Sequence, residues 1–293
     1  MQQQLSEILA GNVKTLARTI SLIENEVSGY EELLQELPPS ATPVIGITGP
    51  PGAGKSTLVD ALIEQLVKND KKVAVLCIDP SSPFNLGALL GDRIRMSEWY
   101  NNKNVFIRSL ATRGSLGGLH PKIIEITDLL KAAPFDLIIV ETVGVGQSEI
   151  EIAGLADVTI VVVVPEAGDE VQTMKAGLME IADIFVVNKA DRPDANMFVK
   201  NLRMMLAPAF SNHTEAIQII KTVASQKEGI AELLKAINAS LVFDKNEKRS
   251  WLLAEKAYQL IENKRMKGID KAALKKEIEA TPDFNLYKFI AGK

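Results

Sequence analysis

From residue 43 to about residue 242, short apolar runs alternate with amphipathic stretches. The runs are 43–48, 73–79, 105–109, 136–141, 157–164, 183–188 and 217–223. Between them, residues 55–69, 87–100, 119–132, 170–180, 195–206 and 228–241 carry apolar positions at helical spacing. The run Val158-Thr159-Ile160-Val161-Val162-Val163-Val164 has no polar alternation, which predicts a strand covered on both faces. Strand–helix alternation of this kind predicts βαβ units and a doubly wound, mainly parallel sheet of the α/β class. Ligands of such sheets bind at the carboxyl ends of the strands.

Helical patterns flank this region. At the N-terminus, Leu5, Ile8, Leu9, Val13, Leu16 and Ile20 recur with helical period, and Leu37-Pro38-Pro39-Ser40 closes the segment as a linker. Beyond residue 246, two helices are expected at about 248–266 and 270–280, the first with a stripe of Leu252, Leu253, Ala257, Leu260 and Ile261. The expected organisation is an N-terminal helical extension (1–40), a nucleotide-binding domain (41–245) and a C-terminal helical segment (246–293).

Composition narrows the classes. The 293 residues are 46% hydrophobic and 24% charged, as in ordinary globular chains, with a net charge of −4. No basic footprint for nucleic acid is present; Lys71-Lys72 and Lys245 to Arg249 read as solvated surface. The lone cysteine, Cys77, lies in an apolar run and reads as a small buried hydrophobe. One cysteine allows no internal disulfide, which fits a reducing, cytoplasmic setting. Met1-Gln2-Gln3-Gln4 lacks the features of a signal peptide, and the longest apolar run is too short to span a bilayer. The two histidines, His120 and His213, have no zinc spacing.

The chemistry begins at Gly49-Pro50-Pro51-Gly52-Ala53-Gly54-Lys55-Ser56-Thr57, which fits the phosphate-binding pattern of P-loop NTPases. Glycines allow backbone N–H groups to turn inward around an oxyanion, and the helix beginning at Lys55 adds its positive end. Gly52, Ala53, Gly54, Lys55, Ser56 and Thr57 are thus the candidate phosphate contacts. Lys55 would reach the β- and γ-phosphates, and the Ser56 hydroxyl would ligate Mg2+.

A second motif follows the run at 183–188. Asn188-Lys189-Ala190-Asp191 fits the N-K-x-D pattern that selects guanine. An Asp191 carboxylate can accept from guanine N1–H and the 2-amino group, whereas adenine offers neither donor. Lys189 can lay its methylene stem along the base, and Asn188 would brace the loop. GTP and GDP are therefore the expected nucleotides.

Carboxylates end two more runs. Asp79 precedes Pro80-Ser81-Ser82, Asp92 sits in Gly91-Asp92-Arg93, and Glu141 ends the run 136–141 at the Walker B position. With Ser56 they are the candidate metal side chains, directly or through water. Asp79 also reads as a turn residue before Pro80, and Asp92 as a surface partner of Arg95. Gly144 occupies the place whose N–H would sense a γ-phosphate, and Gln147 would orient water. Lys55, Glu141, Gly144 and Gln147 are the candidate catalytic residues. Arg93, Arg95, Arg108 and Arg113 are arginine-finger candidates.

Gly49 to Thr57, Asp79-Pro80-Ser81-Ser82, Gly91-Asp92-Arg93, Glu141-Thr142-Val143-Gly144-Val145-Gly146-Gln147-Ser148-Glu149 and Asn188-Lys189-Ala190-Asp191 occur in the order and spacing of the MeaB/ArgK family. The chain resembles these P-loop GTPases from about residue 5 to about residue 285. The resemblance implies a GTPase that gates cobalamin delivery to an adenosylcobalamin-dependent acyl-CoA mutase and protects it, with slow intrinsic turnover stimulated by that partner. It also implies a homodimer held by the C-terminal helices, and a nucleotide-dependent switch at Glu166 to Lys175. The family's guanine-supporting Ser-Ala corresponds here to Val223-Ala224-Ser225, a departure at the base-contacting loop. Two other readings remain open: a kinase or transport-associated P-loop ATPase, and a metallochaperone GTPase for nickel or cobalt enzymes. Asp191 argues against the first, and the lack of a Cys/His cluster against the second.

Overall fold

The computed structural model describes residues 2–79, 96–113, 119–144, 148–165, 179, 181–206, 217–243, 247–266 and 268–291, with backbone only at 148–150, 243 and 247–249. Its seven strands are β1 (Val44–Thr48), β2 (Val73–Asp79), β3 (Val105–Ala111), β4 (Leu137–Glu141), β5 (Val158–Val163), β6 (Ile184–Val187) and β7 (Gln218–Lys221). They form one sheet in the order β3-β2-β4-β1-β5-β6-β7, and every pairing is parallel. All seven lie on the apolar runs of the sequence.

The central strands are buried along their whole length, as their unbroken apolar composition requires. On one face, Leu58, Leu62 and Ile63 of α4 (Lys55–Lys68) and Leu233 and Ile237 of α8 (Ile230–Phe243) pack with Ile45, Ile47 and Ile160. Opposite the outer strands, Phe198, Val199 and Leu202 of α7 (Ala195–Leu206) pack on Val161, Phe185 and Val187. Each such aliphatic or aromatic side chain contributes roughly 1.5–3 kcal/mol by leaving water.

The N-terminal segment forms α1 (Gln2–Leu9), α2 (Val13–Glu24) and α3 (Tyr30–Gln35). Asn12 caps α2 by accepting from the backbone N–H groups of Lys14 and Thr15, each at 3.1 Å. Leu16, Ile20 and Ile23 form its buried stripe, and α2 packs on α5 (Ile123–Ala132).

Some helices depart from the expectation. The sequence pattern gives no helix after Glu141, yet α6 (Ser148–Leu155) forms there. Its apolar residues 150, 152, 153 and 155 make no helical stripe. Gly46 explains how the helix is placed: a Cβ there would lie 2.5 Å from Ile152 Cγ1 and 3.0 Å from Ala156 Cβ, so α6 rests directly on β1. Of the helix expected at 87–100, only a single 3-10 turn at Ser97–Trp99 falls among the described residues. The helix expected at 170–180 lies almost wholly outside them.

Two compact units are present, Met1–Ser250 and Trp251–Lys293. The second contains most of α9 (Glu247–Met266), α10 (Lys271–Glu279) and a short α11 (Leu286–Ala291) that the sequence pattern did not signal. Asp270 caps α10. Among the described residues no helix is long and apolar enough to cross a membrane.

Candidate functional site

The loop 49–54 follows central strand β1 and opens α4, so it sits where ligands of such sheets bind. Gly49, Gly52 and Gly54 all have positive φ, at 134°, 79° and 89°. At Gly49 the need for glycine is steric as well, because a Cβ would lie 2.1 Å from the carbonyl oxygen of Val162. Lys55 is 7% exposed and donates to the carbonyl oxygens of Gly49 (2.8 Å) and Pro50 (3.1 Å). Its ammonium thus lies at the loop itself. Thr57 is exposed in the first turn of α4.

Ser56 donates its hydroxyl proton to Glu141 Oε1 at 2.7 Å. This joins the start of α4 to the end of β4. Glu141 is 4% exposed, and Asp79, at the end of neighbouring β2, is 5% exposed. Cys77 is the register partner of Glu141, so Asp79 lies two residues further along β2. A hydroxyl and two buried carboxylates are hard oxygen donors, the set that suits Mg2+. Among the described residues no group of three or more His, Cys, Asp or Glu side chains converges as a metal site. Asp92 and Gln147 lie outside the described residues, as do Arg93, Arg95 and Lys175.

Gly144 folds over the phosphate loop. With φ at 82°, a Cβ there would lie 2.4 Å from both Gly49 O and Lys55 Nζ. Beside it, the Thr142 hydroxyl donates to that of Thr48 at 2.9 Å, tying β4 to β1. The sequence pattern had not singled out this threonine pair.

Asn188 connects the phosphate and guanine motifs. It is 2% exposed; its Nδ2 donates to Ala53 O at 2.9 Å, and its Oδ1 accepts from Thr222 Oγ1 and Ala224 N, each at 3.1 Å. Lys189 adopts φ of 55° and sends its ammonium to Gly52 O at 2.8 Å. The Ala190 N–H donates to Thr222 O at 3.0 Å, while Asp191 is exposed beyond it. Thr222 is therefore a brace that the sequence motif missed. Its only signal was position, at the end of the last apolar run.

Val223 and Ala224 are buried, and Ser225 is exposed in the turn that follows β7. Lys227, just past that turn, pairs with Glu64 of α4. The partners Lys227 and Lys68 hold the Glu64 carboxyl below its usual range. The base-side turn is thus fastened to the helix of the phosphate loop.

Arg108 and Arg113 are held by residues of α2 and its C-terminal end. Arg108 pairs with Glu24 and donates to Ser21 Oγ at 3.0 Å, whereas Arg113 donates to Glu24 O at 2.6 Å. Neither serves as an arginine finger in this arrangement. His120 is 1% exposed, and its Nδ1 accepts from Lys122 N at 3.0 Å. Burial, together with the charges of Arg113, Lys122 and Arg108, pushes His120 down to about 4. On α6, burial raises the Glu151 carboxyl, and a hydrogen bond from the Leu119 backbone partly offsets this.

The model of the family described as methylmalonyl Co-A mutase-associated GTPase MeaB matches residues 16–276. The chain belongs to the MeaB family of GTPases. A protein of Pyrococcus abyssi, provisionally assigned as a GTPase, is 43% identical over 286 residues, covering 96% of this chain and 87% of the relative. A fused isobutyryl-CoA mutase of Geobacillus kaustophilus is 36% identical over 238 residues, covering 76% of this chain and 22% of that protein. A crystal structure described as a LAO/AO transport system kinase superposes with a TM-score of 0.71 at 27% identity, covering 96% of this chain and 87% of that one. The MeaB assignment carries guanine-nucleotide binding with it and fits the joined N-K-x-D and phosphate loops.

Proposed function

We propose that this MeaB-family GTPase serves an adenosylcobalamin-dependent acyl-CoA mutase, gating its cobalamin loading and protecting it. The observation that carries the reading is the match to a fused isobutyryl-CoA mutase, in which the matching region accounts for 22% of the chain. A domain that elsewhere shares a polypeptide with a mutase fits a separate partner of the same enzyme class.

In the reaction, water attacks the γ-phosphorus in line, the β–γ bridging bond breaks, and GDP and phosphate leave. Lys55 exchanges its bonds to Gly49 O and Pro50 O for phosphate oxygens and stabilises their growing charge. The loop N–H groups of Gly52, Ala53 and Gly54 cradle the β-phosphate. Ser56, Glu141 and Asp79, with Asp92, would hold Mg2+, which supplies charge neutralisation at the β- and γ-oxygens when bound. The hydroxyl and buried carboxylates support that assignment. Gly144 presents its N–H to the γ-phosphate, and Gln147 orients the water. Asp191 reads guanine, and Val223 to Ser225 support the ring.

Arg108 and Arg113 are engaged with α2 and its end, which supports slow intrinsic hydrolysis and stimulation by a partner. Residues 246–293 expose Trp251, Tyr258, Ile261, Leu286, Tyr287 and Ile290, which supports pairing of two copies through this segment. A single buried cysteine supports a reducing, cytoplasmic setting.

The kinase reading is favoured by the description of the superposed structure. It leaves the Asp191 carboxylate without a purpose. Co-purification tests the mutase reading. An acyl-CoA mutase from the same cell retained by the chain loaded with a GTP analogue, and less with GDP, supports it. Equal absence with both nucleotides contradicts it.

A further inference from the structure

The connection from β3 to α5 touches three separate parts of the fold. Its first residue, Thr112, donates its backbone N–H to Asp79 O at 3.1 Å. Its second, Arg113, reaches the C-terminus of α2: Nη1 donates to Glu24 O at 2.6 Å and Nη2 to Asn25 Oδ1 at 3.4 Å. Near its end, Leu119 donates its backbone N–H to the Glu151 carboxyl of α6. Lys122 then holds Glu26 (3.3 Å) and Tyr30 Oη (3.1 Å), both on the N-terminal helical segment.

Arg113 itself has φ of 48°, a left-handed backbone that a non-glycine side chain adopts at a cost. Such a conformation persists only where neighbours hold it. Here its guanidinium caps the carbonyl end of α2, where a cation is favoured by the helix dipole. Asp79 and Ala111 are register partners at the ends of β2 and β3, and β3 is one of the sheet's two edge strands. Arg108, further back on β3, adds its pair with Glu24 to the same attachment.

We infer that Arg113 is a positioning residue through which the N-terminal helices fix the backbone at Asp79, and so set the divalent-cation affinity of the nucleotide complex. The inference rests on the reading of Asp79 as a metal-side carboxylate. The path is short: α2 carbonyl, Arg113, the adjoining Thr112 N–H, and Asp79 O. With Arg113 released, the left-handed backbone loses the two hydrogen bonds to Glu24 O and Asn25 Oδ1 that hold it, and the Thr112 contact to Asp79 O loosens. Nucleotide contacts through the phosphate loop do not pass along this path.

The test is a Mg2+ titration of the full chain bound to a fluorescent GDP, with nucleotide affinity measured separately in EDTA. Arg113→Ala removes the latch. Arg113→Gly removes it while relieving the backbone strain, which guards against simple misfolding. Both should raise the Mg2+ concentration at half-saturation by about three- to tenfold, roughly 0.7–1.4 kcal/mol. Affinity for GDP in EDTA should stay as in the parent. Asp79→Asn is run beside them. If Asp79→Asn weakens Mg2+ and neither Arg113 variant does, the positioning role is overturned and the metal-site reading stands. If Asp79→Asn leaves Mg2+ binding unchanged, the metal-site reading falls and the inference with it. A lowered melting temperature with unchanged Mg2+ affinity would make the latch structural only and also overturn the inference.

Discussion

A Cβ placed on Gly54 would lie 2.4 Å from Nδ2 of Asn188. The phosphate loop and the guanine loop are therefore packed against each other at this one glycine, and Asn188 Nδ2 completes the contact by donating to Ala53 O. Gly54 also has φ of 89°, so an alanine there is strained in backbone and side chain alike. Gly54→Ala is expected to push Asn188 out of place and to weaken GDP and GTP together. Titration calorimetry checks this; parental affinity for both nucleotides would refute it.

Asn188 makes three hydrogen bonds while almost wholly buried. Asn188→Ala leaves Ala53 O, Thr222 Oγ1 and Ala224 N without it. Unmade buried hydrogen bonds cost about 1–3 kcal/mol each before relaxation. The variant should melt several degrees lower and bind GDP more weakly, whereas Asp191→Asn, at an exposed site, should melt as the parent does. Differential scanning calorimetry on the pair separates bracing from base recognition.

Asp191→Asn should instead act on selectivity. Losing a bidentate contact to a base edge costs about 1–3 kcal/mol. The variant should bind GDP that much more weakly with hydrolysis of bound GTP little changed. Equal affinity of the parent for ATP and GTP would remove the role assigned to Asp191.

Strands β1, β2, β4, β5 and β6 were legible because parallel strands buried on both faces are written as unbroken apolar runs, and the phosphate loop because of its glycine and lysine spacing. The motif residues at the strands' carboxyl ends followed from that. The edge strands β3 and β7 are partly exposed, and their runs mix in polar residues. Helix α6 was not legible: its fit depends on the missing side chain of Gly46, a tertiary fact with no periodic trace. Thr48, Thr142 and Thr222 were missed for a similar reason, since their partners lie on other strands. The arginines at 108 and 113 gave the opposite lesson. Charge alone made them candidates for phosphate chemistry, and their geometry gives them to Glu24 and the end of α2.

His120 gives a pH dependence with a definite sign. Its pKa falls from an ordinary 6.5 to about 4 on folding, chiefly through burial and then through Arg113, Lys122 and Arg108. Between these values the unfolded chain binds a proton that the folded chain does not. Stability is therefore unaffected above about pH 6.5 and declines as the pH falls toward 4, by at most about 3 kcal/mol. His120→Gln should flatten this part of the melting-temperature profile. A parental slope between pH 6.5 and 4 in the variant would assign the acid sensitivity elsewhere.

Lys55→Ala should abolish hydrolysis without unfolding the domain, because the ammonium holds the loop carbonyls Gly49 O and Pro50 O rather than sitting in the apolar core. Circular dichroism and single-turnover assays on the same preparation check both halves. Parental hydrolysis with an unchanged melting curve would mean that the phosphate loop has been misassigned.

Single-turnover GTP hydrolysis, measured with and without an adenosylcobalamin-dependent acyl-CoA mutase from the same cell, tests the account most directly. The account predicts slow hydrolysis by the chain alone and faster hydrolysis in the complex, with both rates lost in Lys55→Ala. Identical rates with and without every such mutase would contradict the chaperone reading and leave a MeaB-family GTPase acting on some other partner.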